Sequence, residues 1–345
     1  SGPVQVTSIT TYTTGEDERP TPTTSTTTGL SGPTSVGTTD DSDAATASEP
    51  VTSGPVPDFG DGAGCDKIDV VYVLSQNVPY EFRDSVREGI LHFNKRLVET
   101  FTPNIDLHLL VTDDMWEWSG DVCRQKCEDY GHCEFSGNPD FSCEAVEDAH
   151  GCEKITGAGH TFPIGVGAAN VPCVDNKFIR YLTSDTPDLL GTLNCVTQKQ
   201  PFDGVLAGWP HHPLMVSVTG DGPNGCNKGF LREDALLIMV YVTNTAEFAD
   251  NEDTPAPEVW AQTLFEAKNG NSNAVGVIGL ITDRSTVDPI CQPPGNPDFP
   301  RKPVIFLRDM MPHRVMGSIC ASDTKPYFDQ GIEMMLDLCE QYVPQ

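Results

Sequence analysis

Four mainly apolar runs, rich in β-branched side chains, stand out along the chain. They cover residues 68–75, 105–112, 235–243 and 274–282, and each ends in small polar residues. Runs of this kind are typical of strands that are buried on both faces of a parallel sheet. The four runs therefore predict the strands of a central sheet.

Between these runs, apolar residues return every three or four positions, the spacing that puts them on one side of a helix. The clearest stripe consists of Phe82, Val86, Ile90, Phe93, Leu97 and Phe101. Residues 258–268 and 327–342 show the same spacing. Strands that alternate with helices predict an α/β fold, with a doubly wound, mostly parallel, Rossmann-like sheet flanked by helices.

Two stretches before the third strand are less regular. Residues 176–200 have helical spacing, and residues 202–209 are read as a further helix that Pro210 and Pro213 stop. Residues 214–218 suit a short strand, although their pattern is ambiguous.

The first 64 residues lack such patterns. They consist mainly of Thr, Ser, Gly, Pro and Asp, with Tyr12 and Phe59 as their aromatic residues. Such a composition buries too little apolar surface to offset the entropy of folding. We expect residues 1–64 to be a disordered tether and residues 65–345 to form one α/β domain. Within the tether, residues 4–12 alternate modestly, as a docking strand would.

Twelve cysteines lie after residue 64, and six of them fall in residues 123–173. Residues 116–175 contain little periodic apolar sequence, so we expect a disulfide-rich insertion that is held together covalently. An even number of cysteines indicates up to six disulfides and an oxidising compartment. The spacings do not match paired C-x2-C zinc sites. The sequence shows no apolar span of membrane length, so we expect no transmembrane segment in it.

Acidic residues dominate the charge balance, with 50 acidic against 21 basic residues and a net charge of −29. This field repels phosphate backbones and anionic lipids, so we expect no nucleic-acid partner and no electrostatic docking to membranes. Acidic surfaces suit divalent cations and basic partners, and they also keep a protein soluble.

The candidate ligand-binding residues are the polar ones that follow the predicted strands. In an open α/β sheet, ligands bind outside the carboxyl ends of the strands. The residues at these ends are Ser75, Gln76, Asn77, Asp113, Asp114, Trp116, Trp118, Asn244, Thr245 and Glu247. The two tryptophans suit an exposed interface, and packing under the insertion is the alternative.

Four short blocks between residues 65 and 343 resemble the von Willebrand factor A-type (vWA) family, in the divergent form of secreted or lipid-anchored bacterial proteins. The blocks are residues 65–69 (CDKID), 107–113 (LHLLVTD), 230–235 (FLREDA) and 317–320 (GSIC) followed by Asp323. The resemblance implies an extracellular or cell-surface location, with lipid anchoring upstream of residue 1.

The vWA family binds a divalent metal through a D-x-S-x-S motif after its first strand and an acidic residue after its central strand. Here Ser75, Asn77 and Pro79 occupy the motif positions, and Asn244 and Thr245 stand where bacterial relatives usually have an acidic pair. Mg²⁺ and Ca²⁺ prefer charged oxygen ligands. We therefore expect no cofactor and at most weak Ca²⁺ or Mg²⁺ binding. Ser75 and Asn77 also suit the end of a strand and the cap of a helix.

These features together predict a non-enzymatic binding or adhesion module that takes a protein or glycan ligand on its strand-end loops. One alternative is a structural subunit of an extracellular assembly that docks through its N-terminal tail. The other is a hydrolase, metal-dependent or with a serine nucleophile, although the chain contains no G-x-S-x-G, P-loop or G-x-G-x-x-G motif.

Histidines would carry the chemistry of a hydrolase, and the candidates are His160, His211 and His212. The last two are neighbours in sequence, and neighbours do not face each other on a helix. His108 lies within a predicted strand and is expected to be packed there.

For the disulfides we predict that Cys65, before the first strand, pairs with Cys339 in the last helix. We also predict that the six cysteines of residues 123–173 pair among themselves.

Overall fold

The computed structural model describes residues 65–75, 78, 80–102, 104–113, 151–161, 172–174, 179–197, 211–243, 254–282 and 302–342. These residues belong to the compact unit Gly54–Gln345. The predicted tether of residues 1–64 and most of the predicted insertion lie outside the described residues.

A six-stranded sheet forms the centre of the described fold. Its strands are β1 (Lys67–Leu74), β2 (Asp106–Asp113), β3 (Leu182–Thr183), β4 (Leu236–Thr243), β5 (Val275–Ile281) and β6 (Arg314–Ser318). Their order across the sheet is β3-β2-β1-β4-β5-β6. All neighbouring strands are parallel except β2 and β3, which are antiparallel.

Helices cover both faces of the sheet. The described helices are α1 (Arg83–Phe101), α2 (Leu189–Thr197), α3 (His211–Val216), α4 (Pro257–Glu266), α5 (Lys302–Ile305) and α6 (Lys325–Gln341), and α5 runs on into a π-helical turn (Phe306–Met310). Helices α1, α2 and α6 pack on one face, here called the α1 face. Helices α3, α4 and α5 pack on the other, the α4 face. The predicted doubly wound α/β fold is thereby confirmed.

Alternate residues of each strand explain why both faces need a cover. In β1, Val70 and Tyr72 belong to the core on the α1 face, whereas Val71 and Val73 belong to the core on the α4 face. All eight residues of β4 are buried. Each fully buried Val or Leu side chain contributes about 1.5–3 kcal/mol, so the continuous apolar runs stabilise a sheet with two covered faces.

The stripes that predicted the long helices match the buried sides of α1 and α6. Val86, Ile90, Phe93 and Leu97 are buried in α1. Phe328, Ile332, Met335 and Cys339 are buried in α6. The two helices pack against each other, with the rings of Phe93 and Phe328 at a centroid distance of 5.3 Å.

The prediction for residues 176–200 was partly wrong. The first described part of this stretch is extended, and Leu182 and Thr183 pair with Leu109 and His108 of β2. The helix begins only at Leu189, after Pro187. Pairing with β2 satisfies the backbone hydrogen-bonding groups of this segment, and the helical spacing of its side chains does not reveal that pairing. In addition, a proline disfavours the helical conformation in the residue before it.

The ambiguous strand at residues 214–218 was also wrong. Helix α3 begins at His211 and runs to Val216. Pro213 was read as a stop, but proline is tolerated in the first turn of a helix, where its missing N–H would have no helical partner.

Three disulfides join described cysteines. Cys65 pairs with Cys339, as predicted. Cys152 pairs with Cys226, and Cys173 pairs with Cys195. The prediction that the cysteines of residues 123–173 pair among themselves was therefore wrong, because the fold brings α2 next to Cys173 and the loop after α3 next to Cys152. Cys320 is also disulfide-bonded, to a cysteine outside the described residues.

Candidate functional site

The carboxyl ends of the parallel strands meet at one edge of the sheet, here called the carboxyl edge. Strand β1 lies between β2 and β4. From β1 the chain continues to β2 on one side, and from β4 it continues to β5 on the other side, so the strand order reverses direction between β1 and β4. Such a switch point is where open α/β sheets bind ligands.

Two of the predicted site residues are described, and both lie at the carboxyl edge. Asp113 is the last residue of β2 and pairs with Leu74 of β1. Ser75 follows Leu74, and its N–H donates to the carbonyl oxygen of Val242 at 2.9 Å. Both side chains are buried. The remaining candidates lie outside the described residues and stay predictions; they are Gln76, Asn77, Asp114, Trp116, Trp118, Asn244, Thr245 and Glu247.

A histidine that the sequence did not place at this edge lies beside Asp113. The imidazole Nε2 of His160 is 3.4 Å from the carboxylate Oδ1 of Asp113, and both side chains are almost fully buried, at 4% and 3% exposure. The backbone N–H of His160 donates to the carbonyl oxygen of Val111, two residues before Asp113, at 2.8 Å. The segment that carries His160 thus runs along the end of β2.

Two glycines help to fix the segment before His160. Gly157 has a φ of +85°, a conformation that favours glycine. Gly159 approaches residue 180 so closely that a Cβ atom there would lie 1.8 Å from the carbonyl oxygen of Arg180. The carbonyl oxygen of Gly159 also accepts a hydrogen bond from Nε of Arg180 at 2.9 Å. A bulkier residue at position 159 would displace His160.

Asn227 holds the same segment from the other side. Its Oδ1 accepts the N–H of Gly159 at 3.0 Å, and its Nδ2 donates to the carbonyl oxygens of Gly157 and Ser217. The adjacent Cys226 is bonded to Cys152. These contacts hold the backbone next to His160 in place. His160 lies 47 positions after Asp113 in sequence, so no short sequence motif contains both residues.

Ser75 and the Asp113–His160 pair belong to opposite faces of the sheet. Residues that pair across strands share a face, so Asp113 lies on the α1 face with Leu74. Ser75, one residue further along an extended chain, lies on the α4 face.

His211 and His212 lie at the start of helix α3. The ring of His211 stacks on that of Trp260 at 5.1 Å, and His211 is buried. Burial lowers the pKa of His212, and the neighbouring His211 lowers it further. Within the described ranges, no group of three or more His, Cys, Asp or Glu side chains is arranged to hold a metal ion.

The opposite edge of the sheet contains a buried charge network around Asp69, within one of the blocks that carried the vWA resemblance. The Asp69 carboxylate accepts the backbone N–H and the Nε of Arg232, each at 2.8 Å, and Nζ of Lys268 lies 3.3 Å away. Asp69 is 0% exposed. Burial lowers the pKa of Lys268, and Asp69 opposes that shift. The network holds the residues before β4 and after α4 against β1.

His108 extends this network and is packed, as predicted. Its Nδ1 is 2.8 Å from the carbonyl oxygen of Phe230, and its ring lies 4.6 Å from that of Tyr181. Burial lowers its pKa, and the hydrogen bond to Phe230 opposes the shift.

A surface cavity of about 350 Å³ also lies near this opposite edge. Its lining includes Val218, Leu231, Glu233, Thr263 and Glu266. No sequence pattern indicates this cavity, because its residues come from helix α4, from the turn after α3 and from the residues before β4.

Comparison with known proteins adds no family to these observations. A scan against protein-family models and a search of curated proteins each found no match to this chain. Among the helices that the structure describes, none is both long enough and apolar enough to cross a membrane.

Proposed function

We propose that this protein is a secreted or cell-surface binding module that takes a protein or glycan ligand on the loops at the carboxyl edge of its sheet. The observation that carries the proposal is the switch point between β1 and β4. There the strand ends place Ser75 and Asp113 at the position where open α/β sheets bind ligands.

The disulfides support the extracellular part of the proposal. All seven described cysteines are disulfide-bonded, which indicates an oxidising compartment. The resemblance to vWA domains rests on the four short sequence blocks, and function resides in the site rather than in the fold. We retain a vWA-like module, on a tether and attached to a bacterial surface, as part of the proposal.

Binding of the full chain to a panel of immobilised glycans and purified secreted proteins tests the proposal. Asn244→Ala and Trp118→Ala, in the predicted strand-end loops, should weaken binding to the selected ligand on the order of tenfold, as the loss of an interface anchor does. Binding should need no added Ca²⁺ or Mg²⁺, since the motif positions lack a carboxylate.

Two exposed residues at the opposite edge provide matched controls. Asp66→Ala and Asn104→Ala, directly before β1 and β2, should leave binding unchanged. If both control variants lost ligand binding while the loop variants kept it, the assignment to the carboxyl edge would be refuted. Deletion of residues 1–20 should also leave panel binding intact; loss of binding would favour docking through the N-terminal tail.

A further inference from the structure

The surface cavity near the opposite edge of the sheet combines apolar walls with carboxylates. Its volume of about 350 Å³ is at the lower end of the range for small-molecule sites. Val218, Leu231 and Ala267 contribute apolar surface. Glu233 and Glu266 contribute carboxylates, and the described lining contains no basic side chain. The cavity therefore has room for one small organic group and attracts positive charge.

The basic residues closest in sequence to these two carboxylates bind other groups. Arg232 precedes Glu233, and its guanidinium pairs with Asp69. Lys268 lies two positions after Glu266, and its ammonium group contacts Asp69 and the carbonyl oxygen of Arg232. Among the described residues, neither Glu233 nor Glu266 has an ion-pair partner. The buried network around Asp69 thus leaves the carboxylates of the cavity available to an external cation.

The C-terminal end of α4 adds to the negative potential of the cavity. Thr263, Glu266 and Ala267 line the cavity from this end of the helix. The C-terminal end of a helix dipole carries a partial negative charge that favours cations, and the last turn of α4 contains no basic residue. Oε1 of Glu266 accepts one hydrogen bond, from Nε2 of Gln262 at 2.9 Å, whereas a carboxylate can accept several. The helix end and both carboxylates therefore favour the same kind of ligand.

We propose that this cavity binds an ammonium or guanidinium group that is carried on a short aliphatic chain. The aliphatic chain contacts the apolar walls, and the positive charge lies at Glu233 and Glu266. Free organic amines and guanidines have this chemistry, and so do the Lys and Arg side chains of a protein. The inference goes beyond the proposed function and is independent of it, because that function places its ligand at the carboxyl edge.

NMR titration of the full, isotope-labelled chain with pentylguanidine and with pentylamine tests the site. We expect saturable amide shifts in residues 218–220, 231–233 and 263–269. Pentanol and pentanoate have the same aliphatic chain without the positive charge, and neither should produce these shifts. Added salt should weaken the binding of both cations, since it screens exposed charges. An absence of saturable shifts in these residues, or equal shifts with pentanol, would overturn the proposal.

Charge-removing variants test the two carboxylates. Glu233→Gln and Glu266→Gln should each weaken the binding of pentylguanidine about two- to fivefold, the scale of one exposed ion pair, and the double variant should weaken it further. The matched control is Glu333→Gln/Glu340→Gln, which removes two exposed charges from α6 on the other face of the sheet. If this control weakened binding as much as Glu233→Gln/Glu266→Gln, the overall charge rather than the cavity would attract the ligand, and the proposal would fail.

A blocked peptide, acetyl-Gly-Arg-Gly-amide, distinguishes the two sources of the cation. Binding at least as tight as that of pentylguanidine would identify a side chain of a protein partner as the ligand. Binding that is several-fold weaker would identify a free amine or guanidine, because the peptide backbone then hinders entry. Both results support the cavity as a cation site.

The same measurements separate this inference from the proposed function. Glu233→Gln/Glu266→Gln should leave panel binding unchanged. A chain that binds pentylguanidine at the cavity but binds no panel ligand would retain this site without the binding module. A chain that binds a panel ligand at the carboxyl edge but no pentylguanidine would retain the binding module and overturn this inference.

Discussion

The two buried carboxylates of β1 and β2 have different surroundings. Asp69 is paired with Arg232 and Lys268, whereas Asp113 lies beside His160 at the opposite edge. The pairing at Asp69 stabilises the junction between β1 and β4, while the position of Asp113 at the strand end is the one that suits a ligand.

Removing the charge of Asp69 should destabilise the protein strongly. Asp69→Asn leaves the buried Lys268 without its anionic partner, and breaking a buried ion pair costs about 3–5 kcal/mol. Urea denaturation followed by circular dichroism measures the loss. The control is Asp234→Asn, because Asp234 pairs with Lys67 at the half-exposed surface and such pairs contribute about 1 kcal/mol or less. Equal costs for the two variants would contradict the assigned role of Asp69.

The half-buried His108 predicts a fall in stability on acidification. Its pKa in the folded state lies below the ordinary value of 6.5, mainly because of burial. The unfolded chain therefore takes up a proton first as the pH falls below 6.5, and the free energy of unfolding decreases from there until the pH passes the folded-state pKa.

His108→Asn should reduce this pH dependence without removing it, because His212 and His313 also have lowered pKa values. Denaturation curves between pH 8 and pH 4 measure the effect. The double variant His212→Asn/His313→Asn should keep the part of the pH dependence of stability that His108 causes. A His108→Asn profile that coincides with that of the parent protein would contradict this explanation.

Single positions show how far sequence reasoning reaches at this scale. Asp113 could be predicted because it follows an apolar run directly. His160 could not be placed beside Asp113 from the sequence, since its contact with Asp113 depends on β2, a disulfide and Asn227.

At the scale of elements, the close packing of α1 on α6 depends on Gly89. A Cβ atom at this position would lie 2.1 Å from Oγ1 of Thr324 and 2.8 Å from the ring of Phe328. The hydroxyl of Thr324 donates to the carbonyl oxygen of Ser85 at 2.7 Å, so it is not free to move away.

Gly89→Ala should therefore lower the stability by about 1–3 kcal/mol through overpacking, although alanine is the better helix former by about 1 kcal/mol. Thermal unfolding measures the change. Gly151→Ala is the control, since nothing lies within 4 Å of a Cβ atom there. A Gly89→Ala variant as stable as the parent would mean that α1 and α6 are less closely packed than the structure shows.

The elements that sequence predicted were those with long, uninterrupted patterns: β1, β2, β4, β5, α1, α4 and α6. The elements that it missed are short or lie at the edges of the sheet. Strand β3 has two residues and depends on β2, and β6 includes Arg314 and Gly317, which interrupt its apolar pattern. Tertiary pairing determines such edge strands more than local sequence does.

At the scale of the whole molecule, disulfides close the ends of the domain and fasten the insertion. The bond between Cys65 and Cys339 spans 274 positions, and that between Cys173 and Cys195 spans 22. Cross-links that close longer loops restrict the unfolded chain more. The closure of the domain ends was predictable from the first strand and the last helix, whereas the partners of Cys152 and Cys173 required the fold.

Replacing Cys65 and Cys339 together by alanine should destabilise the chain by about 2–5 kcal/mol, and replacing Cys173 and Cys195 should cost less. Denaturation under non-reducing conditions measures both changes. Peptide mapping of the parent protein should recover the three assigned pairs, and a peptide that links Cys152 to Cys173 would contradict them.

The central claim is that the ligand binds at the carboxyl edge, and amide hydrogen exchange of the full chain tests it most directly. The chain would be compared with and without the strongest ligand from the panel. We predict added protection in peptides that cover residues 75–80, 111–118 and 242–247. Protection confined to residues 218–220, 231–233 and 263–269, around the cavity near the opposite edge, would contradict the account.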